Sequence, residues 1–239
     1  MDTGYNHIFN QHWTLYQKIL VHDYMGHQRI FDQLATALAN QAMVHPLQVL
    51  DIGCGDAQTL GQRLAPLSIH SYTGIDLSAE ALDLVKPNVA CAGADITLIN
   101  TDFEQAIGQL VAQGECQFDV IFAGFALHHV LDENKARLFK QINSLLTPNG
   151  RFYLIDVYMQ EGESREAYLE RYLAPTWTHW DALDEHETSL LNDHVRSSDF
   201  PSTKVNLERM AKDAGFSDCT CLLEDHAHAN ILMSMGKGE

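Results

Sequence analysis

The stretch Val49–Ala57, VLDIGCGDA, decides how this chain can fold. An apolar run leads into an acid, Asp51, and two glycines, Gly53 and Gly55, follow one residue apart. A strand that ends on such a turn and feeds a helix brings backbone N–H groups close to a ligand at the sheet edge, because a side chain there would block the approach. The stretch therefore predicts a strand, a ligand-binding turn and a helix, in that order.

The same alternation of short apolar runs and helical patterns continues from this stretch towards the C-terminus. The predicted strands carry the sequences LQVLDIG, SYTGIDL, ADITLIN, FDVIFAG and RFYLIDV, the last after a turn at Pro148–Gly150. Two further strands, CTCLLED and NILMSM, follow near the end, joined by a turn around HAHA. Strands that alternate with helices favour parallel pairing with crossover helices. The pattern predicts an α/β fold with a doubly wound sheet.

Two segments depart from this rhythm and give the predicted domain organisation. Residues 1–46 form an N-terminal helical segment over the active site, and residues 47–239 form the sheet domain. Within that domain, residues 158–200 are rich in Glu, His and aromatic side chains. We interpret them as a helical cover inserted after the fifth strand.

Composition excludes several classes of partner. The 239 residues carry a formal net charge of −17, which disfavours binding to a polyanion such as DNA or RNA. No apolar run approaches the roughly 20 residues that a membrane span needs, and the first residues lack the pattern of a secretory signal. The five cysteines form an odd, scattered set, which favours reduced thiols. We expect a cytoplasmic protein with neither nucleic acid nor membrane as partner.

Acids at the ends of the first three strands indicate what the turn binds. Asp76 ends the second strand, beside the glycine turn, where a carboxylate can accept from both hydroxyls of a ribose. Asp102 and Phe103 follow the third strand. There the Asp102 carboxylate can accept a hydrogen bond from the exocyclic amine of an adenine, and the Phe103 ring can stack on the base. Asp51 would repel a pyrophosphate and suits a cationic ligand instead.

These residues resemble the class I S-adenosylmethionine-dependent methyltransferases over roughly residues 47–157. The similar motifs are VLDIGCGDA, GIDLS, TDF, FDVIFAGFALHHV and LLTPNGRFYLID, in the order and spacing of the family. The resemblance implies a seven-stranded Rossmann-like sheet, mostly parallel with the last strand antiparallel. It also implies S-adenosylmethionine as cofactor, S-adenosylhomocysteine as product and methyl transfer to a small-molecule acceptor. The implied cofactor-binding residues are Asp51, Gly53, Gly55, Asp76, Leu77, Asp102, Phe103 and Ala123.

The acceptor side is less defined by the sequence. His128 or His129, after the fourth strand, is a candidate general base, with packing or helix entry as the alternative. The candidate substrate-pocket residues are Tyr24, His27, Trp177 and His179. No metal site is assigned, because the alternating His226 and His228 lack a matched second pair at a diagnostic spacing. A monomer and a homodimer are both compatible with the sequence.

Two alternatives remain open at this point. One is a catalytically inactive protein that binds S-adenosylmethionine and acts as a regulatory or structural partner. The other is an NAD-dependent oxidoreductase, whose fingerprint requires a third glycine where this chain has Gln58.

Overall fold

A computed structural model describes residues 14–42, 45–89, 94–114 and 118–238. Residues 1–13 of the predicted N-terminal segment, together with Cys91 and Cys116, lie outside these ranges. Within the described ranges, no helix is long and apolar enough to cross a membrane.

Helices and strands alternate through most of the chain. The α-helices are α1 (residues 14–21), α2 (His27–Ala42), α3 (Gln58–Leu64), α4 (Ala79–Leu82), α5 (Val85–Asn88), α6 (Phe103–Gln113), α7 (Asp132–Leu145), α8 (Arg165–Leu173), α9 (Glu185–Ser198) and α10 (Lys204–Asp213). The strands are β1 (Leu47–Ile52), β2 (Ile69–Asp76), β3 (Asp95–Asn100), β4 (Phe118–Gly124), β5 (Leu146–Met159), β6 (Ser202–Thr203), β7 (Asp218–Asp225) and β8 (Asn230–Gly236). Two 3-10 turns cover Leu127–His129 and Ala174–Trp177.

The strands form a doubly wound sheet, as predicted. Their order is β3-β2-β1-β4-β5-β8-β7, and β8 runs antiparallel to both of its neighbours. The strand order reverses between β1 and β4, so the carboxyl ends of β1, β2 and β4 border the crevice where ligands bind in such sheets. The mostly parallel sheet with an antiparallel last strand is therefore confirmed.

The sheet lies between two apolar layers, which explains the short, continuous hydrophobic strands. Successive residues of β1 point to opposite faces: Leu50 packs in the layer formed with α6, α7 and α10, and Val49 in the layer formed with α2 and α3. Polar side chains define where several helices begin. Asp102, for example, accepts a hydrogen bond from the Gln105 backbone N–H at the start of α6.

Two details differ from the sequence prediction. Among the described residues, the sheet has eight strands rather than seven, because the two-residue β6 pairs with the end of β5. The fifth strand begins at Leu146, ahead of the turn predicted at Pro148–Gly150. That turn lies inside the strand, where Asn149 has a φ of 64° and the pairing with β4 shifts register. A bulge absorbs the turn residues without ending the strand.

The segment between β5 and β6 contains α8, a 3-10 turn and α9, and it contacts the N-terminal helix. Trp180 and Leu183 pack with Leu15 and Ile19 of α1 in one small apolar cluster. The Tyr24 ring stacks on Trp180 with ring centroids 5.0 Å apart. These contacts position α1 against the segment for which the sequence predicts a cover.

Candidate active site

A cleft opens at the carboxyl ends of β1, β2 and β4, where the glycine turn leaves the sheet. Its lining combines turn backbone, acids and a few aromatic rings. The lining residues are Tyr16, Leu20, Phe31, Asp51, Gly53, Cys54, Gly55, Asp56, Ala57, Gln58, Thr59, Leu60, Asp76, Ser78, Ala81, Phe122, Gly124 and Phe125.

The turn after β1 needs its glycines for conformation and for space. Gly53 and Gly55 have φ values of 67° and 53°, in the left-handed region that side chains disfavour. A Cβ on Gly53 would also lie 2.7 Å from the Cβ of Ala126, closer than carbon atoms can pack. The turn therefore stays flat against the sheet edge, with its backbone open to the cleft.

Asp51 is buried beneath this turn and is held by a buried tyrosine. The Tyr72 hydroxyl donates to Asp51 Oδ2 at 2.7 Å. Burial raises the pKa of Asp51 to about 7, and the nearby Asp76 carboxylate adds to the rise, although the Tyr72 hydrogen bond opposes it. A cation in the cleft would favour the ionised form of this carboxyl group.

Asp76 connects the turn to the end of β2 by accepting two backbone hydrogen bonds. Gly55 N–H donates to one carboxylate oxygen and Ser78 N–H to the other, each at 2.8 Å. Asp76 is thus a partly buried side chain that organises the turn. Each oxygen keeps a second lone pair with which it could accept from a ligand hydroxyl.

The cleft is electrostatically negative. Asp51, Asp56 and Asp76 line it, whereas none of its described lining residues is Lys, Arg or His. Burial raises the pKa of Asp56 and of Asp76, because a buried carboxylate is less well solvated by water than an exposed one. The cleft therefore selects against phosphates and for a positively charged ligand.

The other predicted cofactor residues do not belong to the described lining of this cleft. Leu77 is 61% exposed, next to Asp76, and Ala123 is fully buried in β4, one residue before the lining Gly124. Asp102 caps α6, and Phe103, its first residue, packs partly against the α6–α7 apolar layer. The structure brings Asp51, both glycines and Asp76 together, and roles for the rest remain predictions.

A second cavity lies between the α1–α2 turn, the segment 171–180 and the β7–β8 turn. Tyr24, His179 and Trp180 line it together with Arg171 and others. Trp177 does not belong to this lining: it is 58% exposed, and its indole N–H donates to Asn192 at 3.2 Å. Two of the predicted substrate-pocket residues, Tyr24 and His179, thus share one cavity.

His27, at the start of α2, is buried and makes no hydrogen bond through either ring nitrogen. Its ring lies 4.6 Å, between centroids, from that of Phe125, which lines the first cleft. Burial lowers the pKa of His27 to about 4, helped by the proximity of His228, so the ring is neutral. His27 is not in the described lining of the cavity that contains Tyr24; it lines a third cavity, which shares Leu20, Gln58 and Thr59 with the first cleft.

His128 and His129 lie on the 3-10 turn after β4, outside the described lining of both cavities. His128 Nδ1 is 2.5 Å from a carboxylate oxygen of the buried Asp156. Burial alone would lower the pKa of His128, but Asp156 and Asp199 outweigh it and raise the pKa. The proposed role as general base stays a prediction for both histidines.

The sequence prediction does not include several residues in or beside the site, among them Tyr72, Asp56 and Phe125. Tyr72 carried no signal, because a tyrosine in a buried strand is usually interpreted as core. Asp56 is the second acid of the VLDIGCGDA motif, but the motif by itself does not predict a binding role for it. Phe125 has a φ of 52°, a strained conformation that only the structure reveals, and such strain concentrates at functional sites.

Residues 49–150 match the model of a protein family described as a methyltransferase domain. The 27-O-demethylrifamycin SV methyltransferase of Amycolatopsis mediterranei is 30% identical over 128 residues, which cover 54% of this chain and 44% of that protein. The ubiquinone biosynthesis O-methyltransferase of Actinobacillus pleuropneumoniae is 31% identical over 103 residues, or 43% of this chain and 42% of that one. The chain spans about half the length of the curated relatives it matches.

Among solved structures, the magnesium protoporphyrin IX methyltransferase of Synechocystis PCC 6803 with bound S-adenosylhomocysteine superposes with a TM-score of 0.62 at 16% identity. The superposition covers 96% of this chain and 94% of that one, and at this identity it shows a shared fold alone. The matched domain, the motif order and the sheet order are similar to those of the class I S-adenosylmethionine-dependent methyltransferases, and the match to the family model covers residues 49–150.

Proposed function

We propose that this protein binds S-adenosylmethionine in the first cleft and transfers its methyl group to a small-molecule acceptor. The observation that carries the proposal is the cleft itself: an open glycine turn lined by three acids and, among its described residues, by no basic side chain. S-adenosylmethionine is a phosphate-free nucleoside with a sulfonium and an ammonium group, and this environment favours both charges. NAD and FAD carry a pyrophosphate, which the same acids would repel.

Different residues of this chain would bind different parts of such a cofactor. The buried Asp51 would face the cationic methionine half across the glycine turn, and the free lone pairs of Asp76 would accept from the ribose hydroxyls. Asp102 and Phe103 would bind the adenine. The cofactor supplies a methyl group on an excellent leaving group, so the protein's main task is to align the acceptor and exclude water.

The second cavity is the proposed acceptor site. The stacked rings of Tyr24 and Trp180 give it an apolar wall, and Arg171 and His179 add polar groups. Phe125 of the first cleft and Met25 of the second cavity pack against the same apolar cluster, which connects the two walls. The net charge of −17 favours a small molecule over a nucleic acid as acceptor. No described contact favours the alternative of an inactive binding protein.

Mass spectrometry of reaction mixtures tests the proposal. The protein is incubated with S-adenosylmethionine and pooled phenols, amines or thiols, and S-adenosylhomocysteine is quantified against acceptor-free mixtures, with Asp76→Ala as the matched variant. We expect acceptor-dependent product from the wild type and much less from the variant. Binding of the cofactor without turnover in any pool would favour the inactive alternative, and binding of NADH in its place would contradict the proposal.

A further inference from the structure

A cluster of two histidines and a carboxylate lies where the end of α9 meets the turn after β4. His128 and His129 belong to the 3-10 turn, and Asp199 directly follows α9. Asp199 Oδ1 lies 3.7 Å from His128 Nε2 and 3.7 Å from His129 Nδ1. One ligand atom from each of the three residues can be chosen so that all lie within 4.8 Å of one another.

The Asp199 side chain is only 4% exposed, yet its Oδ1 accepts no hydrogen bond from any residue that the structure describes. An unpaired carboxylate oxygen in such a place is costly, because burial removes the water that would otherwise solvate it. The basic side chains near it are engaged elsewhere. Lys135 bonds Ser202 Oγ at 2.8 Å and the Phe200 carbonyl, and Arg165 Nε donates to the backbone carbonyl of Asp199 and not to its carboxylate.

The His128 ring is oriented by a buried carboxylate. Its Nδ1 lies 2.5 Å from Asp156, whose carboxylate is itself fixed by the Val157 N–H at 2.9 Å. A proton on Nδ1 leaves Nε2, the nitrogen nearer Asp199, with a lone pair. A carboxylate that orients a histidine in this way is the usual outer partner of a metal-bound imidazole.

We propose that His128, His129 and Asp199 bind a divalent transition-metal ion such as Zn²⁺. Ligand atoms about 2.0–2.1 Å from a tetrahedral zinc are about 3.4 Å apart, so the 3.7 Å between Asp199 Oδ1 and His128 Nε2 needs to close by only a few tenths of an ångström. His129 Nδ1 donates to the Ser198 carbonyl oxygen at 3.2 Å, so His129 would complete the set only after a side-chain rotation that breaks this bond or brings Nε2 to the ion. Two imidazoles and one carboxylate match zinc and its neighbours, whereas Mg²⁺ and Ca²⁺ prefer all-oxygen sites.

The ion would link the end of the 158–200 segment to the turn after β4. Phe200 N–H already donates to the His128 carbonyl at 2.7 Å, and a metal adds side-chain bonds across the same junction. A metal on Nε2 excludes a proton there, so this inference replaces the role of His128 as general base. It does not rest on the proposed function, since metal binding is measured without S-adenosylmethionine.

Calorimetric titration of tag-free, EDTA-treated protein with Zn²⁺, and separately with Mg²⁺, tests the inference after circular dichroism has shown the protein to be folded. We expect one equivalent of tightly bound zinc, no comparable heat from Mg²⁺ and a higher melting temperature with zinc. Asp156→Asn should weaken zinc binding about 10–100-fold, the usual effect of losing the outer partner of a ligand. Asp199→Asn and His129→Gln should weaken it at least as much.

His186→Ala is the matched control, because this exposed histidine lies on α9 outside the cluster and should leave zinc binding unchanged. His129→Gln keeps the test decisive if Asp199→Asn fails to fold, since the His129 side chain is 37% exposed and tolerates replacement. Zinc affinity that is unchanged in every folded cluster variant, or that falls only in His186→Ala, would overturn the inference. Equal binding of Mg²⁺ would also overturn it.

Discussion

Replacing Asp76 by alanine separates the two tasks that the structure gives this carboxylate. In the free protein, its two oxygens accept from Gly55 N–H and Ser78 N–H at 2.8 Å each. In the complex, the same oxygens would also accept from the ribose. The variant should therefore lose cofactor affinity and, to a smaller extent, stability.

The magnitudes follow from the number of bonds and their exposure. One hydrogen bond to a charged group contributes about 1.5–3 kcal/mol, so the dissociation constant of S-adenosylmethionine should rise roughly 10- to 150-fold. Two backbone N–H groups lose their acceptor, but water reaches this partly buried position, so we expect a loss of about 1–2 kcal/mol in unfolding free energy. For a chain of this size, that loss lowers the melting temperature by about 2–8 °C.

Isothermal titration calorimetry and thermal unfolding of the free protein measure the two effects independently. Asp95→Ala is the matched control, because this exposed aspartate lies at the amino end of β3, whereas the cleft lies at the carboxyl ends of the strands. It removes the same charge without touching the cleft. A folded Asp76→Ala variant with the wild-type dissociation constant would refute the assignment of Asp76 to the cofactor.

Four further predictions test other parts of the site. Because the pKa of Asp51 is raised to about 7, its carboxyl group ionises as the pH passes through that value, and affinity for the cationic cofactor should rise between pH 6 and 8. Calorimetry should find a flatter dependence of affinity on pH in Asp51→Asn. The same pH dependence in the variant and the wild type would contradict the role of Asp51. Since the raised pKa also makes the free folded protein lose stability as pH rises towards 7, Asp51→Asn should unfold at a higher temperature than the wild type at pH 8, with the difference shrinking towards pH 5. Gly53→Ala would place a Cβ 2.7 Å from that of Ala126 at a φ of 67°, so cofactor binding should be lost, and wild-type affinity would show that the turn tolerates a side chain. Trp180→Ala removes a buried ring that stacks on Tyr24 and should cost about 3–5 kcal/mol in chemical denaturation, whereas a loss below about 1 kcal/mol would show that this cluster contributes little.

The fold could be predicted from the sequence because local and global signals agree. Each strand of the parallel sheet is a short apolar run that ends on a turn residue, and a polar residue, Asp102, caps the start of α6. The two-residue β6 escaped prediction because so short a strand has no period. The early start of β5 escaped because Asn149 and Gly150, which favour a turn, are absorbed in a bulge.

The candidate site was predictable as far as it depends on order along the chain. Asp51 and Asp76 each end a strand, and parallel strands bring their ends to one edge. Contacts between segments distant in sequence were not predictable. The bond from Tyr72 to Asp51 and the approach of Asp199 to His128 depend on side-chain packing, for which the sequence carries no periodic signal.

Calorimetric titration of the wild-type protein with S-adenosylmethionine, S-adenosylhomocysteine and NADH tests the central claim most directly. A cleft with three acids and an open glycine turn should bind the first two with micromolar or better affinity and show no heat with NADH. Folded, ligand-free protein that binds neither S-adenosyl compound would contradict the account, and binding of NADH alone would reassign the cleft to a dinucleotide.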